Sequence, residues 1–184
     1  MTDVDKTTIL QAKNGNLAAF ENIVYRFEKP LYSYLYRLCG HGQTAEDLTQ
    51  ETFLKIYKNL KKIDPDGNFS SYIFTIATHV AYDFFRKKKH VQELFILDDP
   101  ESDIETITEE HAYTIVEKIE NSEFIEKALS QLKTEYKTVL LLFYKEDFSY
   151  ETIAKTLHIP LNTVKTYLHR AKRALKEVLS KPAE

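Results

Sequence analysis

Apolar residues recur at helical spacing along nearly the whole sequence, and no clean alternation typical of β-strands interrupts them. Residues that break helices are scarce, because the 184 residues include only four glycines and five prolines. The pattern therefore predicts an all-α protein.

Eight helices are predicted, in two blocks of four. A stop signal at Gly40–Gly42 precedes a predicted helix cap at Thr44 with Asp47, and Pro30 is expected to kink or divide the second helix. Asp64–Asn68 is a strong loop signal. The predicted helices are Thr7–Asn14, Leu17–Cys39, Thr44–Leu60 and Ser70–Lys89, then Glu123–Gln131, Thr134–Tyr144, Ser149–Leu157 and Leu161–Leu179.

An acidic segment separates the two blocks. Eleven acidic residues and one basic residue lie between Asp98 and Glu126, so the formal net charge of −3 conceals an excess of basic residues elsewhere. The segment is poor in large apolar residues, which is typical of a linker. We therefore predict two small helical domains, residues 1–97 and 122–184, joined by a flexible acidic linker at residues 98–121.

The last forty residues have the pattern of a helix-turn-helix. Ser149 stands at an N-cap position before a short apolar helix, and Pro160 suits the turn that follows. The final helix places Val164 and Leu168 on an apolar stripe and its cations on the opposite side. A basic stripe alone is usually a solvated face, but this combination favours DNA binding. The polar side carries Lys165, Thr166, His169, Arg170, Lys172, Arg173 and Lys176.

The third predicted helix carries two stripes. One stripe, which includes Ala45 and Ile56, is apolar and faces a core, and the other joins polar side chains to Leu54. The second stripe consists of Asp47, Gln50, Glu51 and Leu54. It suits the docking of a partner helix, although from this helix alone a plain solvated face is the better interpretation.

The fourth predicted helix combines aromatic residues with cations. Ile73, Ile76, Ala77 and Val80 form a core stripe, and Arg86–Lys89 ends the helix in four consecutive cations. Rings that stack on unpaired bases beside phosphate-binding cations suit single-stranded nucleic acid. Core aromatics with cations at a helix C-terminus are the competing interpretation. The aromatics beyond the needs of the stripe are Tyr72, Phe74, Tyr82, Phe84 and Phe85.

Other classes of protein find little support in the sequence. The six histidines are scattered, and neither a paired metal-binding motif nor a glycine-rich phosphate loop is present, so we predict no catalytic residues, no metal and no cofactor. The single cysteine, Cys39, and the absence of a signal sequence favour a cytoplasmic protein. A DNA-binding regulator and a protein-interaction module are the other interpretations that the sequence leaves open.

Taken together, the motifs resemble those of the extracytoplasmic-function (ECF) sigma factors, small two-domain initiation subunits of bacterial RNA polymerase. The stretch Ala45–Phe53 is similar to their polymerase-binding motif, Phe69–Arg86 to their melting and −10 helix, and Ile153–Lys172 to their −35 reader. The resemblance covers nearly the whole chain except the linker. It implies a non-enzymatic factor that directs polymerase to promoters and assists their melting.

The resemblance also implies partners and roles for particular residues. The partners are the β′ clamp helices and β subunit of core polymerase, promoter DNA, and an anti-sigma factor that is often membrane-anchored. The residues implied to bind core polymerase are Asp47, Gln50, Glu51 and Phe53. The −10 element falls to the loop 63–70 and to Asn68, Tyr72, Thr75, Thr78, His79, Asp83, Arg86 and Lys87. The −35 element falls to Asn162, Thr163, Lys165, Thr166, His169, Arg170, Lys172 and Arg173.

The chain departs from the family pattern at several of these positions. Tyr72 and His79 stand where the family usually has Trp and Asn, and Tyr167 stands where Arg is usual. Gly is usual in the family's turn at the positions of His158 and Asn162. Because His and Asn tolerate positive φ, we expect the turn to be preserved.

Overall fold

The computed structural model describes residues 4–88 and 123–180, and within these ranges every regular element is helical. The chain divides into two compact units, Met1–His90 and Val91–Glu184, which are described separately. The predicted all-α class is confirmed. The predicted linker at residues 98–121 lies outside the described residues.

Residues 4–88 of the first unit form four α-helices and one short 3₁₀ turn. Helix α2 begins and ends as predicted and runs through Pro30 without a break, while the other helices begin and end within two residues of the prediction. The elements are α1 (Lys6–Lys13), α2 (Leu17–Cys39), α3 (Gly42–Asn59), the 3₁₀ turn (Leu60–Lys62) and α4 (Phe69–Lys88).

The junction between α2 and α3 differs from the prediction. Gly40 ends α2 in the left-handed conformation with φ 72°, as the stop signal indicates. The next helix then begins two residues before Thr44, because the imidazole of His41 provides the cap and accepts the Thr44 backbone N–H at 3.4 Å. The predicted cap at Thr44 with Asp47 is therefore wrong. Histidine is an uncommon N-cap, so sequence rules favour the threonine.

Helix α4 packs against two neighbours, α2 and α3, and α2 also packs against α1 and α3. Its buried residues therefore spread over more than one face, and Phe69, Ile73 and Phe74 are almost completely buried. Burial of large side chains such as these contributes roughly 1.5–3 kcal/mol each to the stability of a fold. Helix α4 is therefore a central helix of the first unit.

The described part of the second unit, residues 123–180, contains four α-helices. The predicted helix that begins at Thr134 is α-helical to Leu140 and then widens into a π-helical turn, and the last helix has its predicted bounds. Helix α8 packs against the other three helices of this described part through one stripe, which includes Val164, Ala171 and Leu175. The elements are α5 (Glu123–Ser130), α6 (Thr134–Leu140), the π turn (Leu141–Lys145), α7 (Tyr150–Leu157) and α8 (Leu161–Leu179).

Helices α7 and α8 form the predicted helix-turn-helix. The Ser149 hydroxyl accepts the Thr152 backbone N–H at 3.1 Å and caps α7, as predicted. His158 ends α7 with φ 54°, and Pro160 precedes the first residue of α8. Asn162 lies in α8 as its predicted bounds require, so of the two positions where the family usually has Gly only His158 has positive φ.

Within the described residues, no helix combines the length and the apolar character needed to cross a membrane.

Candidate nucleic-acid interfaces

The predicted docking stripe on α3 is exposed. Asp47, Gln50 and Glu51 face solvent, and Leu54, the last residue of the stripe, is 51% exposed. Tyr57, one turn further along, is 52% exposed and extends the apolar part of this surface. Tyr57 is not among the predicted docking residues, although its i+3 spacing from Leu54 indicates the position.

Phe53 does not belong to this surface. Its side chain is buried in the core of the first unit, so the exposed stripe does not include it. The position faces inward because α3 packs against both α2 and α4 and needs a wide apolar face. Phe53 can support the docking surface from beneath but offers little area to a partner.

A chain of charged side chains links α3 to α4. The Lys55 ammonium lies 3.1 Å from the Glu51 carboxylate and 3.7 Å from that of Asp83, which also pairs with Arg86. Lys55 thus joins a residue predicted to bind polymerase to two residues predicted to bind DNA. Lys55 is not among the predicted site residues, although its i,i+4 spacing from Glu51 is a detectable signal.

The predicted −10 residues on α4 are divided between the surface and the core. Thr78 is completely buried, and its hydroxyl shares hydrogen bonds of 2.7 Å with the Tyr34 hydroxyl and with the carbonyl of Phe74. Thr78 is therefore not accessible to DNA on the surface of this unit, contrary to the prediction. The Thr75 hydroxyl, which is partly buried, donates to the Ser71 carbonyl at 2.8 Å.

The aromatic residues of α4 divide in the same way. Phe74 and Tyr82 are buried core residues, which removes them from the set suited to stacking on bases. Tyr72, Phe84 and Phe85 are partly exposed, and burial raises the pKa of Tyr72 above its ordinary value. The stacking surface is consequently smaller than the number of aromatics suggests.

The remaining −10 residues lie at or near the surface. His79 and Asp83 are partly exposed, and Arg86 and Lys87 are exposed near the end of α4. Asn68 is exposed in the loop before α4, where its side-chain oxygen accepts the Ser71 backbone N–H at 2.6 Å. Asn68 therefore also caps the helix that it introduces.

The polar side of α8 faces away from the core of the second unit. Asn162, Lys165 and Arg173 are exposed, and the predicted −35 residues between them are partly exposed. Arg173 pairs with Glu177 at 3.7 Å. The partly exposed set comprises Thr163, Thr166, His169, Arg170 and Lys172.

Two residues of α8 lie elsewhere than the sequence suggests. The Lys172 ammonium lies 6.0 Å and 5.5 Å from the ring centres of Phe143 and Tyr144, so it is drawn to the edge of the polar side. Tyr167 is buried, and its ring meets that of Tyr136 edge to face at 5.8 Å. At this position the chain gains a core contact where the family usually has a surface cation.

The start of α7 adds a carboxylate beside this surface. The backbone N–H of Glu151 and the Ser149 hydroxyl lower the pKa of Glu151, and the charges of Lys165 and Lys155 lower it further. Glu151 thus stays ionised near a lysine predicted to meet DNA. A neighbouring carboxylate of this kind orients a lysine and limits the positive charge of the face.

Metal chemistry is not indicated in the part of the chain that the structure describes, where no three His, Cys, Asp or Glu side chains are grouped to hold an ion. The potential contacts are instead the three surfaces described above: the α3 stripe, the exposed part of α4 with its preceding loop, and the polar side of α8.

Comparison with known proteins assigns both units to one family. Residues 23–91 match the family model of sigma-70 region 2, and residues 123–175 match that of sigma-70 region 4. The fold is similar to that of CnrH, solved in complex with the cytosolic domain of CnrY, with a TM-score of 0.69, 21% identity and coverage of 97% of this chain and 99% of that one.

A second solved structure, the sigma factor RpoE from Bartonella quintana in complex with the anti-sigma factor NepR, is similar with a TM-score of 0.66 and 20% identity over 89% of this chain and 98% of that one. In sequence, the chain is 33% identical to the ECF RNA polymerase sigma factor SigW of Bacillus subtilis over 95% of its own length and 96% of SigW. The chain belongs to the ECF sigma factors of RNA polymerase.

Proposed function

We propose that the chain directs core RNA polymerase to promoters by holding it through α3 while α4 and α8 contact the −10 and −35 elements. The observation that carries this proposal is the exposed stripe of Asp47, Gln50, Glu51 and Leu54 in one unit, together with a separate cationic helix face in the other. A DNA-binding regulator needs only the second surface. The first surface provides the site for polymerase.

The −10 contact is best made by the exposed part of α4. Tyr72 can stack on an unpaired base, and Arg86 and Lys87 supply phosphate contacts at the end of the helix. Stacking of a base on an aromatic ring contributes about 1–3 kcal/mol, which is comparable to the cost of opening a weak base step. The loop 63–68 borders this surface through Asn68, which caps α4.

The −35 contact is best made by the polar side of α8. Asn162 and Thr166 lie near the N-terminal end of the helix, where a recognition helix meets base edges in the major groove. Lys165, His169 and Arg173 follow along the same side and suit base or phosphate contacts. Lys172, held beside two aromatic rings, suits a phosphate at the edge of the groove.

The partners follow from this role. The α3 stripe is proposed to receive the clamp helices of the β′ subunit, and the second unit to contact the β subunit as well as DNA. The similar structures of CnrH and RpoE were solved with CnrY and with the anti-sigma factor NepR, which supports regulation of this chain by an anti-sigma factor, often a membrane-anchored one. A factor of this kind works in the cytoplasm and catalyses no reaction of its own.

Run-off transcription on a genomic DNA library tests the proposal. Purified core polymerase with the chain is expected to produce transcripts of defined length that core polymerase alone does not produce. The mapped start sites then supply the promoters. A chain that binds duplex DNA by itself but starts no transcript with core polymerase would contradict the proposal and favour the regulator.

The docking stripe is tested by the double variant Gln50→Ala with Glu51→Ala. Both side chains are exposed, so the unfolding midpoint should stay within a few degrees while binding to core polymerase weakens about tenfold or more, as for central interface residues. Titration with labelled core polymerase measures the affinity. Glu28→Ala, which removes an exposed carboxylate from α2, is the matched control, and equal affinity of both variants would remove the stripe from the interface.

A further inference from the structure

The loop before α4 is ordered partly by its own hydrogen bonds. The Asp64 carboxylate accepts the Asp66 backbone N–H at 3.0 Å, and the Asp64 carbonyl accepts that of Gly67 at 3.2 Å. Ile63 anchors the start of the loop in the core, and Asn68 ends it by capping α4. These contacts set the shape of the loop 63–68 but do not hold its tip against the rest of the unit.

Helix α1 supplies the contacts that the loop itself lacks. The Lys13 ammonium donates to the Ile63 carbonyl at 2.5 Å, and the Lys6 ammonium lies 2.5 Å from the Asp66 carboxylate. Lys6 and Lys13 are seven residues apart, which places them on one side of the helix two turns from each other. The helix therefore grips the loop at two points rather than one.

The two contacts are separated along both the helix and the loop. Seven helical residues span roughly 10 Å, and the two contacted residues, Ile63 and Asp66, are three positions apart at the start and in the turn of the loop. A hold at two points fixes the direction of the loop as well as its position. The helix that provides it is itself fixed, because Ile9 and Ala12 are buried and the Asp5 carboxylate caps its first turn.

We propose that α1 is a positioning element that aligns the loop 63–68 with the exposed face of α4, and that Lys6 and Lys13 thereby set how tightly the holoenzyme holds the single-stranded −10 element. The inference rests on the proposed function, because the proposed function places the loop 63–68 beside the −10 element. Neither lysine needs to contact DNA, because Lys6 pairs with the Asp66 carboxylate and Lys13 donates to the Ile63 carbonyl. Both are positioning residues.

The affinity of the holoenzyme for single-stranded DNA tests the inference. The full chain is assembled with core polymerase and titrated with a fluorescent oligonucleotide that carries the −10 strand of a promoter mapped by run-off transcription. Lys6→Met with Lys13→Met should weaken this binding about tenfold, as expected for the loss of charged hydrogen bonds, while assembly with core polymerase is unchanged. The control Arg26→Met with Lys29→Met removes two exposed cations from α2 and should have no effect.

Two further variants separate positioning from direct contact with phosphate. Asp66→Asn should weaken binding as Lys6→Met does, whereas a lysine that contacts DNA would bind better once its carboxylate partner is lost. The charge exchange Lys6→Asp with Asp66→Lys should restore binding to within about threefold, the range of an exposed ion pair. The slope of the logarithm of the binding constant against the logarithm of the salt concentration should be unchanged in Lys6→Met. Loss of a phosphate contact would instead lower the magnitude of this slope by about 0.7 on single strands.

Amide hydrogen exchange in the free chain gives a readout that is independent of DNA. Exchange at Asp66 and Gly67 should rise in the double variant, while exchange in the middle of α4 stays unchanged. If the double variant is unstable, Lys6→Met alone carries the test, because that side chain is exposed. If the double variant has unchanged amide exchange in the loop and unchanged affinity for the −10 strand, the inference about α1 is wrong while the proposed function stands. If the wild-type chain directs no transcription, the proposed function is wrong as well.

Discussion

Helices α4 and α8 are both long and amphipathic, with cations at the end of α4 and along one side of α8, yet they expose their polar residues differently. Helix α4 packs against α2 and α3, so core positions spread around it and take in Phe74, Thr78 and Tyr82. Helix α8 buries a single stripe, and its opposite side stays accessible along the whole length. A helix that is buried on more than one face thus keeps only a narrow functional face, while a helix whose neighbours all contact one stripe keeps a broad one.

The largest expected effect is the cost of removing a ring from the crowded side of α4. Phe74→Ala should lower the free energy of unfolding by about 3–5 kcal/mol, because the ring is completely buried and meets Tyr34 edge to face at 5.3 Å. Urea unfolding measures the change. A variant of normal stability that has lost only −10 binding would mean that Phe74 faces DNA, against the division of α4 described above.

The matching change on α8 should weaken DNA binding and leave the stability of the fold unchanged. Lys165→Ala is expected to weaken holoenzyme binding to a duplex with an intact −35 element by about 1–3 kcal/mol if it meets a base edge, with the unfolding midpoint unchanged. Competition between intact and scrambled −35 duplexes measures both affinity and specificity. Lys155→Ala, an exposed lysine on α7, is the control. Equal affinity for the two duplexes in the wild type would exclude −35 readout by this helix.

A smaller effect is expected where a predicted DNA contact proves to be a core hydrogen bond. Thr78→Val keeps the shape of the side chain but removes the hydroxyl that bonds to Tyr34, which should cost about 1 kcal/mol of stability. Tyr34→Phe should cost a similar amount, and the double variant should cost less than the sum, because both changes remove one bond. Strict additivity in a double-mutant cycle would disprove the coupling.

The smallest effect concerns the turn that orients α8. His158 has φ 54°, a conformation that costs a residue with a side chain about 1 kcal/mol relative to glycine. His158→Gly should therefore raise the free energy of unfolding by about 0.5–1 kcal/mol, less any loss from greater freedom of the unfolded chain. Thermal unfolding of the variant, beside Asn162→Gly, checks the sign. Asn162 is helical, so its replacement should destabilise the protein.

Much of the fold could be predicted because its signals are local. Periodicity and turn residues locate α2 and α8 to the residue, and Ser149 marks the start of α7. The exceptions depend on contacts that local rules do not contain. His41 caps α3 although threonine is the commoner cap, and the helix after Thr134 widens into a π turn before Asp147, which has φ 56°.

The candidate site was predictable to different degrees in the two units. On α8, one apolar stripe defines the opposite side, so most of the predicted −35 residues are accessible, while Tyr167 packs on Tyr136 in place of the usual surface cation. On α4, the sequence cannot show that a second neighbour covers Thr78. The roles of Lys6 and Lys13, and the contact of Lys55 with Asp83, depend on partners from other helices or loops, which no helical spacing reveals.

The central claim is that the two faces act together, one on duplex DNA and one on a melted strand. Permanganate reactivity of thymines on a promoter found by run-off transcription tests it most directly. The claim predicts reactive −10 thymines together with a protected −35 element only when core polymerase and the chain are both present. Protection of the −35 duplex by the chain alone, with unreactive thymines in the presence of core polymerase, would contradict it.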